Sequence, residues 1–231
     1  MRTLNAAAGW LFVLCLPLLL LSASLAWAVN SHWLYQYGFS KYDVGATTGL
    51  ADSELEKVAY GLIGYFNSGE EYIELTVTKN NQSLTLFNQR EIIHLKDVKT
   101  LVWLDYRVLA GTLIYVLGYA GGSVFWRKGD YRRRLGRNLV IGGGLTLAIM
   151  AALGIGALLD FNWLFLQFHL LSFANDFWQL DPTRDYLLMF FPGGFWFDAV
   201  LFVVLATVGM ALVLSAGGGA YLLRTRKRLS S

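Results

Sequence analysis

Two histidines with carboxylates nearby are the side chains of this sequence whose types and spacing favour chemistry. His169 lies among apolar residues in the segment 163–198, WLFLQFHLLSFANDFWQLDPTRDYLLMFFPGGFWFD, and His94 lies in EIIHLKD. An imidazole exchanges protons near neutral pH and can act as a general acid or base. The residues alone leave three interpretations open: an acid–base pair that acts on a lipid-derived substrate, a structural histidine pair, and a zinc site completed by Asp97 or Asp176.

Helical spacing predicts a polar stripe around His169. Residues seven apart nearly superpose on a helix, because seven steps of about 100° fall about 20° short of two turns. Asn162, His169 and Asp176 are therefore expected on one face. Ser172 is expected beside them, three residues after His169. Prolines at two later positions are expected to divide the rest of the segment into shorter pieces.

The composition and the long apolar runs indicate a membrane protein. Of the 231 residues, 55% are hydrophobic, whereas soluble domains average about 45–50%. A helix needs about 20 apolar residues to cross a hydrocarbon core about 30 Å thick. Four runs reach that length: 9–29, 106–126, 138–159 and 198–223. We therefore predict an α-helical polytopic membrane protein with four transmembrane helices.

The basic residues predict the orientation of the chain. The loop 127–137 carries six Lys or Arg residues, and the tail 224–231 carries four. Because cytoplasmic loops are enriched in Lys and Arg, both termini are expected on the cytoplasmic side. The first apolar run is expected to stay attached as a span rather than to be cleaved as a signal peptide. The predicted segments are TM1 (1–29), an outer segment (30–105), TM2 (106–126), the basic cytoplasmic loop (127–137), TM3 (138–159), a second outer segment (160–197), TM4 (198–223) and the cytoplasmic tail (224–231).

The first outer segment has signals for a helix and for a hairpin. Asp52 and Ser53 precede the periodic run LEKVAYGLIGYF, which predicts a capped helix that ends near Asn67. YIELTVT alternates polar and apolar residues, and SLTLF follows the turn residues Asn80 and Asn81, so a β-hairpin is expected. Together the two outer segments are predicted to form a small mixed α/β extracytoplasmic domain.

Other motifs argue against several classes of function. Glycines inside the apolar runs, such as Gly142, Gly143 and Gly144, have no Walker lysine and indicate close helix packing rather than a nucleotide loop. No GxSxG motif supplies a nucleophile, and no HExxH or CxxC motif supports a metal site. The lone Cys15 is expected to pack inside the first span. No basic groove with interleaved aromatic residues is recognised in the sequence, so nucleic acid is not expected as a partner.

The four spans and two histidine-centred motifs resemble a family of bacterial integral membrane proteins that includes the lipoprotein intramolecular transacylase. The motifs are REIIHLKDVKTL at the end of the first outer segment and FHLLSFANDFWQLDPTRDYLLMFFPGGFWFD in the second. ELEKVAYGLIGYFNSG also resembles the outer helix of that family. The resemblance covers nearly the whole chain. It implies a multi-pass protein of the bacterial plasma membrane with its site on the extracytoplasmic face.

The resemblance implies an acyl transfer within a lipoprotein. The substrate would be a membrane-anchored lipoprotein whose N-terminal cysteine carries a thioether-linked diacylglyceryl group. The sn-2 acyl chain would move to the α-amine of that cysteine and give a lyso-form lipoprotein. Because an ester becomes an amide, no ATP, metal or coenzyme is needed, and no cofactor is expected. The expected partners are the diacylated lipoprotein and membrane lipids.

The resemblance also implies roles for individual residues. His169 would be the general base, and His94 would stabilise the oxyanion or orient the base, although these two roles can be exchanged. The residues that could orient an imidazole are Asp97, Asp176, Asp181, Asp185 and Ser172. The candidate substrate-binding residues are Arg90, Arg184, Trp178, Phe195 and Trp196. For the arginines the alternative is a solvated surface position, and for the aromatic residues it is an interfacial belt.

Two other functions stay open on the sequence alone. A non-catalytic membrane sensor or partner subunit with an extracytoplasmic binding domain would tolerate replacement of either histidine as long as the packing survives. A metal-dependent membrane hydrolase would hold zinc and would be sensitive to a chelator. A transporter or channel is disfavoured, because the predicted spans carry no charged residue near the bilayer centre.

Overall fold

The computed structural model describes residues 2–126 and 130–227, which are mostly helical. Residues 127–129 of the basic loop and 228–231 of the basic tail lie outside the described residues, as does residue 1. The helices are α1 (Arg2–Asn30), α2 (His32–Lys41), α3 (Val44–Thr48), α4 (Asp52–Asn67), α5 (Gln89–Gly121), α6 (Asp130–Ser172), α7 (Tyr186–Phe190) and α8 (Gly193–Lys227). The strands are β1 (Thr76–Lys79) and β2 (Gln82–Thr85), and a π-helical turn, Gly122–Trp126, follows α5.

Four of the described helices are long enough and apolar enough to cross a membrane. Their candidate spans are Asn5–Asn30, Gln89–Phe125, Tyr131–Ser172 and Gly193–Arg226. The prediction of four membrane helices is therefore confirmed. The second and third of these helices are much longer than the apolar runs seen in the sequence. Their extensions carry His94 and His169.

The chain divides into two compact units. The first holds the described residues within Met1–Leu25, Asp105–Ile155 and Phe202–Ser231. The second holds Ala26–Leu104 and Gly156–Leu201. The two histidines and all the other candidate site residues therefore lie in the second unit.

Large apolar side chains of α1 form much of the core of the first unit. Phe12 and Leu16 are fully buried. Phe12 packs with Val116 of α5, and Leu16 packs with Ala211 of α8. Cys15 packs against the cluster around Phe12, as the sequence predicts. Helix α1 thus contacts two other long helices within this unit.

Two glycines of α6 let neighbouring helices approach closely. A Cβ at Gly143 would overlap the hydroxyl of Ser215 in α8, and a Cβ at Gly142 would lie 2.9 Å from a side-chain carbon of Leu16 in α1. Small residues allow such contacts between membrane helices. At Gly144 no described atom lies within 4 Å of the Cβ position. The close packing predicted for these glycines is confirmed at the first two and wrong at the third.

The second unit contains the predicted hairpin. Strands β1 and β2 are antiparallel, with Thr76 opposite Thr85. Asn80 and Asn81 between them have φ values of 52° and 62°, the left-handed pair that a two-residue type I′ turn requires. The strands are shorter than the alternating pattern predicts. β1 and β2 are the strands found among the described residues. The β part of the predicted mixed α/β domain is therefore this one hairpin.

Helix α4 has the predicted apolar stripe. Its buried residues are Leu55, Val58, Ala59, Leu62, Tyr65 and Phe66. Their spacing of three or four residues is that of an amphipathic helix. The predicted cap is wrong, because Ala51 occupies the N-cap position without a side-chain hydrogen bond and Asp52 is the first helical residue. In the first turn its carboxylate is stabilised by the positive end of the helix dipole.

Helix α6 has a break at Asp160. Its φ of −155° and ψ of 87° are not helical. Its Oδ1 accepts a hydrogen bond of 2.9 Å from the Trp163 N–H, as an N-cap carboxylate does. The piece after the break ends at Ser172. Asp176 therefore lies beyond the helix, and the polar stripe predicted around His169 is wrong at that residue.

A network of buried carboxylates fixes the start of α5. The side chain of Asn88 accepts the N–H groups of Arg90 and Glu91 at 2.9 and 3.3 Å, and the Glu91 carboxylate accepts the Asn88 N–H at 2.8 Å. This reciprocal arrangement is a capping box. Glu91 also accepts the Leu187 N–H at 2.7 Å, and Asp185 accepts the Asn88 side-chain amide at 2.8 Å. Glu91 and Asp185 are 1% and 2% exposed, so these bonds tie α5 to α7 away from solvent.

Replacement of Gly143 by leucine should destabilise the first unit. Extra methylene groups in a filled interface cost about 1–3 kcal/mol, so Gly143→Leu should lower the unfolding temperature measured in detergent. Gly144→Leu is the matched control, because it adds the same side chain where no described atom lies within 4 Å. Equal unfolding temperatures for the two variants would contradict the close approach of α6 and α8.

Replacement of Glu91 by glutamine should also destabilise the protein. The amide keeps the shape but offers one acceptor oxygen to two N–H donors. Hydrogen bonds to a charged group contribute about 1.5–3 kcal/mol, so a loss of about 2 kcal/mol is expected in the free energy of unfolding. Glu56→Gln, at an exposed position of α4, is the control for the lost charge. The tie between α5 and α7 would be refuted if both variants unfolded alike in denaturant.

Candidate active site

Two imidazoles from distant parts of the sequence pack against each other in the second unit. His94 comes from the second turn of α5, and His169 comes from the last turn of α6. Their ring centroids are 6.1 Å apart, and the ring planes are inclined by 28°. Each histidine is 8% exposed. The structure thus brings together the two residues in which the sequence predicts acid–base chemistry.

The orientation of the His169 ring is fixed within its own helix. Its Nδ1 lies 2.7 Å from the backbone oxygen of Phe165. A carbonyl oxygen only accepts hydrogen bonds, so Nδ1 carries the proton in this contact. In the neutral ring the lone pair then belongs to Nε2. In neutral His169, Nε2 is therefore the ring nitrogen that can accept a proton.

Aromatic rings surround His169. The ring centroids of Phe165, Phe168, Phe173 and Trp178 lie 4.4, 5.4, 5.5 and 5.0 Å from that of the imidazole. Such rings keep water away from this imidazole and strengthen the electrostatic interactions made there. Of the predicted substrate-binding residues, Trp178 is the one whose ring contacts a histidine directly.

His94 has an unpaired nitrogen. Its Nδ1 is buried and has no hydrogen-bond partner among the described residues. The ring of Phe173 packs edge-on against it, with centroids 5.0 Å apart. Buried polar atoms without a partner are rare in proteins and are found at catalytic positions among others. His94 therefore retains hydrogen-bonding capacity for a reacting group.

Asp97 lies one turn after His94 but bonds to a different residue. Its Oδ2 accepts a hydrogen bond of 2.8 Å from the side-chain amide of Asn175. None of the hydrogen bonds described for the second unit joins Asp97 to either imidazole. The partner of this carboxylate is thus the loop after α6.

The other predicted supporting residues also contact neighbours other than the histidines. The exposed carboxylate of Asp176 accepts the side-chain amide of Gln179 at 3.3 Å. The hydroxyl and the backbone N–H of Thr183 donate to Asp181 and lower the pKa of that carboxyl below its ordinary value. Asp185 belongs to the network at the start of α5. Ser172 is the half-buried last residue of α6.

The two predicted arginines lie in different surroundings. Arg90 donates from Nη2 to the backbone oxygens of Asp176 and Gln179, at 2.8 and 3.2 Å. The side chain of Arg184 is 70% exposed, and its Nε lies 3.6 Å from the carboxylate of Asp181. Arg90 therefore holds a loop of the protein, and Arg184 is a solvated surface residue.

Phe195 and Trp196 differ in burial. Phe195 is buried, with its ring against Gly38, where a Cβ would overlap it. Trp196 is half-buried, and its ring lies 5.8 Å from that of Phe165. Through Phe165 it adjoins the surroundings of His169. Trp196 is thus close to the histidine pair, whereas Phe195 fills the core of the second unit.

Four residues around the site were not singled out in the sequence. Glu91 carries a signal that could have identified it, because NQRE fits the capping-box pattern. Phe165 lies four residues before His169, and that helical spacing could have identified it. Phe173 and Asn175 have no such signal, since they contact His94 and Asp97 of a distant segment. Among the described residues no group of three or more His, Cys, Asp or Glu side chains is placed to hold a metal ion.

Comparison with known proteins agrees with this fold. The family model of the lipoprotein intramolecular transacylase Lit matches residues 10–196. A solved structure of the membrane integral lipoprotein intramolecular transacylase Lit from Bacillus cereus aligns with a TM-score of 0.82, over 99% of this chain and 100% of that chain, at 18% identity. A second structure of that protein, with one histidine replaced by arginine, covers 100% of this chain and 96% of its own, with a TM-score of 0.76 at 20% identity.

A relative in Aquifex aeolicus (strain VF5), an uncharacterized protein, is 29% identical over 132 residues. The match covers 57% of this chain and 56% of that protein, which is about half of its length. The solved structures establish the fold, and the family model covers most of the sequence. On that match, this chain belongs to the family of the lipoprotein intramolecular transacylase Lit.

Proposed function

We propose that the protein is a lipoprotein intramolecular transacylase. It moves the sn-2 acyl chain of the S-diacylglyceryl group onto the α-amine of the N-terminal cysteine and leaves a lyso-form lipoprotein. The observation that carries this proposal is the buried pair of His94 and His169, with ring centroids 6.1 Å apart, in a chain that belongs to this family. Acyl transfer between two groups of one substrate requires a proton carrier and a positioned carbonyl, which such a pair can serve.

The transfer begins with the amine. The amine nitrogen attacks the ester carbonyl, and the proton of the amine passes to Nε2 of His169. The nitrogen–carbon bond forms first and gives a tetrahedral intermediate. The ester carbon–oxygen bond then breaks, and the proton passes to the departing glycerol oxygen. The amine proton ends on the glycerol oxygen, and no electrons are exchanged with another molecule. The transfer therefore requires no coenzyme. The Nδ1 contact with Phe165, at 2.7 Å, keeps the lone pair at Nε2 during this exchange.

His94 is assigned to the oxyanion. The tetrahedral intermediate carries negative charge on the former carbonyl oxygen, and a preorganised N–H donor in a dry site stabilises that charge strongly. His94 is buried, retains an unpaired ring nitrogen and faces His169. These features support a donor role for His94 and the role of base for His169.

The aromatic surroundings favour transfer over hydrolysis. Water competes with the amine for the ester carbonyl, and a closed apolar site excludes that side reaction. The rings of Phe165, Phe173 and Trp178 each lie within 5.5 Å of the imidazole of His169, centroid to centroid. Trp178 and Trp196 are proposed to contact the acyl chain.

The second unit is proposed to be the extracytoplasmic part of the protein. The basic residues of the loop 127–137 and of the tail argue for a cytoplasmic position of those segments and of both termini. Exposed apolar residues close to His169 in the chain, such as Trp163, Phe168 and Leu171, suit a site at the membrane surface. A lipid-anchored substrate reaches such a site without leaving the bilayer.

Replacement of either histidine should abolish transacylation. The assay is mass spectrometry of the N-terminal peptide of a reporter lipoprotein, from a host that makes only diacylglyceryl-lipoproteins and expresses this chain. Wild type should place an acyl group on the cysteine nitrogen. General acid–base catalysis typically contributes about 100- to 10,000-fold to a rate. His94→Ala and His169→Ala should therefore each lower the rate by about 100-fold or more.

His32→Ala is the control variant. His32 stacks on Tyr60 with centroids 4.2 Å apart and lies outside the pair, so this variant should keep the activity. An unmodified amine with well-folded wild type would refute the proposed function. The same unmodified amine is expected of a non-catalytic sensor or partner subunit. Transacylation retained by both site variants would instead refute the roles assigned to the two histidines.

Removal of metal ions should leave the activity unchanged. The proposed transfer uses imidazole and the substrate amine and needs no Lewis acid. Purified enzyme treated with a strong chelator should be assayed on a synthetic diacylated lipopeptide. Its rate should stay within about twofold of the rate of untreated enzyme. A loss that added zinc restores would support the metal-dependent hydrolase instead.

A further inference from the structure

The loop between α6 and α7 places an aromatic ring on the candidate base. Residues 173–180 follow α6, which ends three residues after His169. They include Trp178, whose ring centroid lies 5.0 Å from that of the imidazole. The loop contains no helix or strand. Contacts with other elements must therefore hold it in this position.

Asn175 uses both ends of its side chain within this loop. Its Oδ1 accepts the backbone N–H of Phe177 at 3.0 Å, which closes a tight turn just before Trp178. Its Nδ2 donates to Oδ2 of Asp97 at 2.8 Å. The same side chain thus shapes the loop and joins it to α5.

The hydrogen bonds between α5 and the loop come from Arg90 and Asp97, on the helix face that carries His94. Arg90 and Asp97 lie four residues before and three residues after this histidine, and such positions share a face. Arg90 donates to the backbone oxygens of Asp176 and Gln179. The loop is therefore held on both sides of His94.

We propose that Asn175 is a positioning residue of the transacylase and that Asp97 acts through it. Together they form a latch, defined here as the Asp97–Asn175 hydrogen bond, that holds Trp178 against His169. This inference rests on the proposed function. It gives Asp97 a different task from orienting an imidazole, because its carboxylate bonds to the amide and not to a ring nitrogen.

Exchange of the two side chains separates these tasks. Asn175→Asp keeps the oxygen that accepts the Phe177 N–H but places a second carboxylate against Asp97. Asp97→Asn alone removes the charge and allows an amide–amide hydrogen bond. The double variant, Asp97→Asn with Asn175→Asp, restores an amide–carboxylate pair in the opposite direction. If Asp97 served the imidazole directly, the exchange would not restore activity.

The experiment measures kcat and KM for a diacylated lipopeptide. Asn175→Asp should lower kcat at least about tenfold with a smaller change in KM, since misplacement of a site by about 1 Å can cost about 100-fold. The double variant should recover to within about threefold of wild type. Ala174→Asp, which adds the same charge at an exposed position of the loop, is the control and should keep wild-type rates.

Hydrogen–deuterium exchange of the loop supplies a readout that does not need activity. Peptides covering residues 173–180 should exchange faster in Asn175→Asp and return to wild-type protection in the double variant. A double variant that stays inactive, or a loop whose exchange is unchanged in Asn175→Asp, would overturn the latch. If wild type itself fails to transfer the acyl chain, the proposed function fails, and the exchange data still decide whether the latch exists.

Discussion

A buried imidazole needs a partner for its ring N–H, and in this protein the partner of His169 lies inside its own helix. The carbonyl oxygen of Phe165 is 2.7 Å from Nδ1, so the ring orientation is set as soon as the last turns of α6 form. Leaving a buried donor unsatisfied costs about 1–3 kcal/mol. The rest of the site can therefore be apolar, because no carboxylate has to be brought to this ring.

That constraint accounts for the positions of the acidic residues. A carboxylate hydrogen-bonded to an imidazole favours the charged ring, whereas an imidazole must be neutral to accept a proton. Asp97 bonds to Asn175, Asp181 accepts from Thr183, and Asp185 joins the network around Glu91. These carboxylates organise the loops around the site while aromatic rings cover the histidines.

The site also depends on long helices that continue beyond their apolar runs. Helix α5 begins at Gln89, well before its apolar run, and α6 continues past the break at Asp160 to Ser172. A helix is a stiff support, so a histidine on such an extension is held more firmly than one on a loop. The capping box of Asn88 and Glu91 anchors one of these supports.

The sequence by itself determined the four membrane helices, the amphipathic α4 and the hairpin turn at Asn80 and Asn81. These follow from local patterns: apolar runs of sufficient length, helical periodicity, and turn residues that tolerate a positive φ. It also singled out His94 and His169, because imidazoles in apolar segments are unusual. Their separate motifs carried the resemblance to the family, which the family model bears out.

Only the tertiary structure decided how these residues meet. Helical periodicity placed Asp176 on the face of His169, but the helix ends at Ser172, and no periodicity extends past a helix end. The bond between Asp97 and Asn175, and the packing of the His94 ring on that of His169, join segments far apart in the chain. A single sequence records which residues can bond, whereas the packing of distant segments selects the partner that each one takes.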